Sequence, residues 1–145
     1  MMRSIVALVL GAVVGATQPG AAPRSYVEPR MPAGDRPFSD AVRIGDTLYL
    51  SGKIGVDADR KVPADAPSEA RNVLNDVKRT LTAAGMTMDD LVSVQVFCSD
   101  VEHYAAFNDV YRTYFTKELP ARAFIGSGKL LFGARFEVQA IAVRR

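Results

Sequence analysis

Cysteine and histidine are nearly missing, with one of each among 145 residues. A single cysteine, Cys98, cannot close an internal disulfide. It sits in the strand-like run LVSVQVFC, where it reads as a small buried hydrophobe. A single histidine, His103, leaves no cluster of Cys and His with metal-ligand spacing, so no metal is expected. It would also have to serve alone as the base of a serine triad, and no G-x-S-x-G elbow is present. Neither G-x-x-x-x-G-K-[ST] nor G-x-G-x-x-G occurs. The glycines of GSGKLLFG lack the strand-then-helix context of a phosphate loop, so no cofactor is expected either. An excess of one charge is missing as well. Basic residues number 18 and acidic ones 16, with no basic block and an isoelectric point of about 8.8. That argues against a nucleic-acid partner. Internal repeats and low-complexity tracts are absent.

What is present suits one folded domain. Hydrophobic residues make up 48% of the chain, enough for burial to offset chain entropy. The N-terminus stands apart. Arg3 precedes an apolar run from Ile5 to Ala16, and Val14-Gly15-Ala16 places small residues at the ends of a cleavage pattern. Residues 1–16 therefore read as a secretory signal peptide, too short for a membrane span, and imply a periplasmic or secreted protein free of the membrane after removal. Residues 17–36 are rich in Pro, Gly and Ala and read as a flexible lead-in. The folded domain is expected over 37–145.

Within it, Ala41 to Ile44 and Thr47 to Ser51 flank Gly45-Asp46, a natural hairpin turn. Ala70, Val73, Leu74, Val77, Leu81 and Ala84 recur at helical spacing, and Gly85 stands where a helix-ending glycine belongs. Val92, Val94 and Val96 alternate with polar residues, which predicts a strand. Asp100 can cap a second helix running to Glu118. RAFIGSG and ARFEVQAIAVRR read as strands joined by a hairpin or bulged connection. The order β-β-α-β-α-β-β predicts an α+β fold with a mixed β-sheet and two helices on one face. Both faces of the last strand carry apolar residues, so the face away from the helices needs a cover, and self-association is the simplest one.

Two side chains stand out. Arg122 opens one strand, and Glu137 follows fifteen residues later inside an apolar run. A guanidinium offers a planar fork of donors that fits a carboxylate. A glutamate among Phe136, Val138 and Ile141, if buried, is suited to holding a water or passing a proton near neutral pH. The bland alternative is a structural Arg122–Glu137 ion pair, which spacing alone favours.

At PAR, at Glu137 and at the ending EVQAIAVRR, the chain resembles the RidA/YjgF family of reactive intermediate deaminases. TLYLSGKIGVD, EARNVLNDVKRTLTAAGMTMDDLVSVQVFCSD and FNDVYRTYF extend the resemblance over about residues 37–145. The resemblance implies a chorismate-mutase-like α+β fold and a homotrimer whose sheets form a central barrel, with sites between subunits. It implies hydrolysis of enamines and 2-imino acids such as 2-aminoacrylate to 2-keto acids and ammonia, without a cofactor. It makes Arg122 the holder of the substrate carboxylate and Glu137 the residue that positions the water. Ser51, Gly52 and Asn108 would line the pocket. Phe38 stands where the family usually has tyrosine, and Phe124 where it commonly has cysteine; both would make the site more apolar. A trimeric binder of carboxylates or keto acids without turnover is the alternative reading. A chaperone-like or RNA-cleaving role is a third, and no basic groove supports the RNA role.

Overall fold

The computed structural model describes residues 20, 22–28 and 36–145. The expected signal peptide, residues 1–16, lies outside the described residues, as does part of the lead-in. The helix predicted from apolar spacing forms as α1, Ala66–Ala83. The Asp65 side chain accepts from Ser68 N at 2.8 Å and satisfies an otherwise unpaired first-turn donor. At the other end Gly85 takes φ +67°, a conformation that costs a residue with a Cβ but not glycine. Gly85 N then donates to Thr82 O and Met86 N to Leu81 O, both at 2.9 Å, which closes the helix.

The hairpin strands are β2 (Ala41–Ile44) and β3 (Thr47–Ile54). Beyond α1 come β4 (Leu91–Cys98), α2 (Tyr104–Tyr111), β5 (Ala121–Gly126) and β6 (Phe136–Val143). One more strand, β1 (Arg24–Val27), pairs antiparallel with β2. This corrects the reading of 17–36 as a flexible lead-in, because the sheet begins inside it. Four residues are too few for a period to be read, and neighbouring prolines masked the signal.

The second helix is also shorter than expected. Single 3-10 turns at 101–103 and 112–114 flank α2, and the chain then leaves the helix axis. The Asp89 carboxylate draws it away by accepting from Thr116 N at 3.0 Å and Lys117 N at 3.3 Å.

The six strands form one sheet in the order β1-β2-β3-β6-β4-β5. β4 and β5 run parallel, and the other pairs are antiparallel. The expected hairpin between the strands of Arg122 and Glu137 does not exist. β4 lies between them, so 127–135 is a crossover. Both helices cover one face. Phe136, Val138, Ala140 and Ala142 of β6 join Leu48, Val94 and Val96 of the neighbouring strands beneath Val73, Val77 and Leu81 of α1 and Phe107 of α2. Burying each large side chain contributes roughly 1.5–3 kcal/mol.

The other face is open and partly apolar. Register places Ile54, Glu137, Phe97 and Ile125 in one row across β3, β6, β4 and β5. Tyr49, opposite Ile141, is 46% exposed there.

Candidate active site

Arg122 and Glu137 stand on opposite faces of the sheet. Arg122 is paired in register with Val94 and points to the helix side. There its Nη2 donates to the Asn108 Oδ1 at 2.7 Å. Its guanidinium carbon lies 4.6 Å from the Tyr111 ring centroid, 5.6 Å from Phe124, 5.8 Å from Tyr104 and 6.0 Å from Phe107. No carboxylate pairs with it among the described residues. The structural ion pair between Arg122 and Glu137 that spacing favours is therefore not formed.

The surroundings hold the guanidinium rather than neutralise it. Asn108, buried on α2, accepts one N–H, and aromatic faces attract the cation without using its donors. Asn108 thus acts on Arg122, which leaves donors of the fork for an incoming anion. Tyr111 packs against Phe107 and Phe115 at 5.7 and 4.8 Å between ring centroids. Its hydroxyl is buried and has no hydrogen-bond partner among the described residues. Burial pushes the phenol up to about 12, against the opposing pull of the Arg122 charge.

Glu137 lies half-buried on the open face, between Ile54 and Phe97. Gly52 makes room for it, because a Cβ at that position would overlap the Glu137 carboxylate. Gly52 sits in a register shift of β3 between Leu50 and Lys53. That shift turns Lys53 to the helix side, opposite Val138, where its Nζ donates to Asp40 Oδ1 at 2.5 Å. Both members of this pair are buried. Burial alone would raise the Asp40 carboxyl, but the hydrogen bond and charge of Lys53, with the Arg36 charge, outweigh it and hold the group below its usual value.

Two hydrogen bonds from Ser51 fix the chain around Phe38. Ser51 N donates to Asp40 O at 3.1 Å, and Ser51 Oγ donates to Ser39 O at 2.5 Å. The Ser51 hydroxyl proton is committed to the backbone. Phe38 is 50% exposed, with the Arg36 guanidinium 5.7 Å from its centroid.

One chain therefore brings Arg122, Asn108 and Phe124 together on one side and Gly52 and Glu137 together on the other. The sequence reading did not single out Asp40, Lys53, Glu69 or Arg135. Glu69 is fully buried and accepts from Arg135 N at 2.6 Å, Phe136 N at 2.9 Å and Arg135 Nη1 at 2.8 Å. It anchors the backbone that leads into Glu137. Its only sequence signal is a charge on the apolar stripe of α1.

This is an α+β protein with an arginine held among aromatic rings on the helix side of its sheet and a glutamate on the open side. The chain belongs to the endoribonuclease L-PSP family, also known for its RidA/YjgF members, which matches residues 29–144. It is 36% identical over 117 residues to the mouse 2-iminobutanoate/2-iminopropanoate deaminase, a match covering 79% of this chain and 87% of that protein. The crystal structure of the Escherichia coli YjgF gene product superposes with a TM-score of 0.76 at 33% identity, over 83% of this chain and 99% of that one. The structure of Escherichia coli TdcF with bound serine gives 0.77 at 31% identity, over 83% of this chain and 99% of that one.

Proposed function

We propose that this protein hydrolyses 2-imino and enamine acids to 2-keto acids and ammonia, in sites formed between copies of a homotrimer. The observation that carries the reading is Arg122, a half-buried cation held by Asn108 and four rings, with no carboxylate partner among the described residues. A half-buried arginine with donors left over favours an anionic ligand. The name of the mouse relative and the serine bound by TdcF fit a small amino-acid-like substrate.

The placement of the two charged groups supports assembly. A substrate held by Arg122 of one copy cannot meet the Glu137 of the same chain across the sheet. It can meet Glu137 of a second copy docked through the open apolar face. Covering Tyr49, Ile141, Phe97 and Ile125 would supply the association energy.

The chemistry then needs no cofactor. Arg122 fixes the carboxylate and so orients the protonated imine carbon. Glu137 takes a proton from water as the oxygen bonds to that carbon and the C=N electron pair moves to nitrogen. Returning that proton to nitrogen makes ammonia the leaving group, and it departs as the C=O forms and the hydroxyl proton passes to Glu137. Gly52 leaves the carboxylate space to approach, while Ser51 holds the adjoining Phe38 segment. Residues 1–16 would export the protein to the periplasm or medium, which cell fractionation and N-terminal sequencing of the mature protein would test.

The primary test is ammonia and keto-acid release from imines made by an L-amino-acid oxidase. The expected result is acceleration that Arg122→Ala abolishes. The alternative, a trimeric carboxylate binder without turnover, is favoured by one observation, the commitment of the Ser51 hydroxyl to Ser39 O. Keto-acid binding without any imine hydrolysis would establish that alternative.

A further inference from the structure

The four rings around Arg122 differ in access. Phe107 is fully buried and Tyr111 is 3% exposed, so both lie behind the guanidinium. Tyr104 is 49% exposed, and Phe124 is half-buried. Tyr104 and Phe124 meet edge to face with centroids 5.0 Å apart. Each is within 6 Å of the guanidinium carbon, at 5.8 and 5.6 Å. Asn108 occupies one N–H on the α2 side. An anion that takes the remaining donors approaches with these two rings beside it.

Geometry then fixes what the rings touch. In a carboxylate–guanidinium pair the two carbons sit about 4 Å apart. The substituent next to the carboxylate starts within reach of both rings. A methyl group covers little of them, whereas a benzyl or isobutyl group covers much more, and the edge-to-face pair leaves ring faces for a third aromatic group. A charged substituent would lose hydration against the same surface.

We propose that Phe124 and Tyr104 form the side-chain subsite beside Arg122 and select 2-imino and 2-keto acids bearing an aromatic or large aliphatic side chain over alanine-derived ones. This rests on the reading of Arg122 as the carboxylate holder. The added apolar burial is worth about tenfold or more in affinity.

Calorimetric titration of the full chain with pyruvate and with phenylpyruvate tests it independently of turnover. Phenylpyruvate is expected to bind at least about tenfold more tightly, and Phe124→Ser is expected to bring the two affinities close together. Tyr104→Ala, at an exposed position, should narrow the ratio in the same direction and serves if Phe124→Ser fails to fold. Equal or tighter binding of pyruvate overturns the subsite. So does a ratio unchanged by both variants, or tighter phenylpyruvate binding after the ring is removed, which would make Phe124 an obstacle.

Imine assays separate the two readings. The predicted ratio without hydrolysis of any imine leaves the subsite standing and removes the deaminase. Hydrolysis that prefers the alanine-derived imine does the reverse. Binding of neither keto acid removes both.

Discussion

Arg122 and Glu137 occupy opposite faces of one sheet, and the fold holds them by different means. The arginine is enclosed by rings from α2 and β5 and by the Asn108 carbonyl oxygen, all on the covered side. The glutamate lies on the uncovered side, over a glycine, and its strand is fixed from behind. Asp40–Lys53 holds the irregular part of β3, and Glu69 holds the backbone entering β6. A cation can be stabilised by aromatic faces while its donors stay available. A carboxylate has no such option, since apolar contact only strips its water. Space and backbone anchoring are what the fold supplies to it. On the proposed reading, opposite faces make these two groups half-sites that a second copy has to complete.

The comparison breaks most sharply at Glu137. Glu137→Gln keeps the shape and removes the base, so kcat should fall about a hundredfold while 2-keto acid affinity stays within about threefold. Steady-state kinetics beside calorimetry would show this, and a parallel loss of binding would join the two half-sites into one. Mixing is the next test. Arg122→Ala and Glu137→Gln are each expected to be inactive alone. Co-refolded in equal amounts they should regain about a quarter of wild-type activity, because a quarter of the interfaces then pair two intact residues. No recovery from a mixed trimer would mean that both groups serve the same chain.

Gly52→Ala presses on the glutamate side alone. Its Cβ has to displace the Glu137 carboxylate, so kcat should drop about tenfold with little change in keto-acid binding. Full activity in the variant would show that the position of that carboxylate does not matter.

The smallest effect concerns pH. The folded Asp40 carboxyl lies below its ordinary value of 3.8, so the stability it contributes is complete above that value. It is lost as pH falls through the folded value. The urea midpoints of wild type and Asp40→Asn should therefore differ more at pH 7 than near pH 3. A gap that does not narrow in acid would remove Asp40 from the acid response.

Much of this was legible in the chain itself. The period of Val73, Val77 and Leu81, with Gly85 after it, specifies α1 because apolar spacing and a helix-ending glycine are local properties; the Asp65 cap was added by the structure. The alternation in β6 specifies which residues share a face, because successive side chains of a strand point to opposite sides. PAR and Glu137 carry the family resemblance. The pairing of Asp40 with Lys53 and of Glu69 with Arg135 was not legible. A buried charge looks like a surface charge until its partner, distant in sequence, is known.

Local pattern in the chain was enough for the two helices, most of the strands, the apolar second face and the choice of Arg122 and Glu137 as the candidate residues. The tertiary structure alone decided that β4 separates β5 from β6 and that Arg122 and Glu137 face opposite ways. Alternation tells which residues of one strand share a face. It says nothing about the phase between two strands, which is set by sheet order and register, and those depend on contacts between residues far apart in the chain.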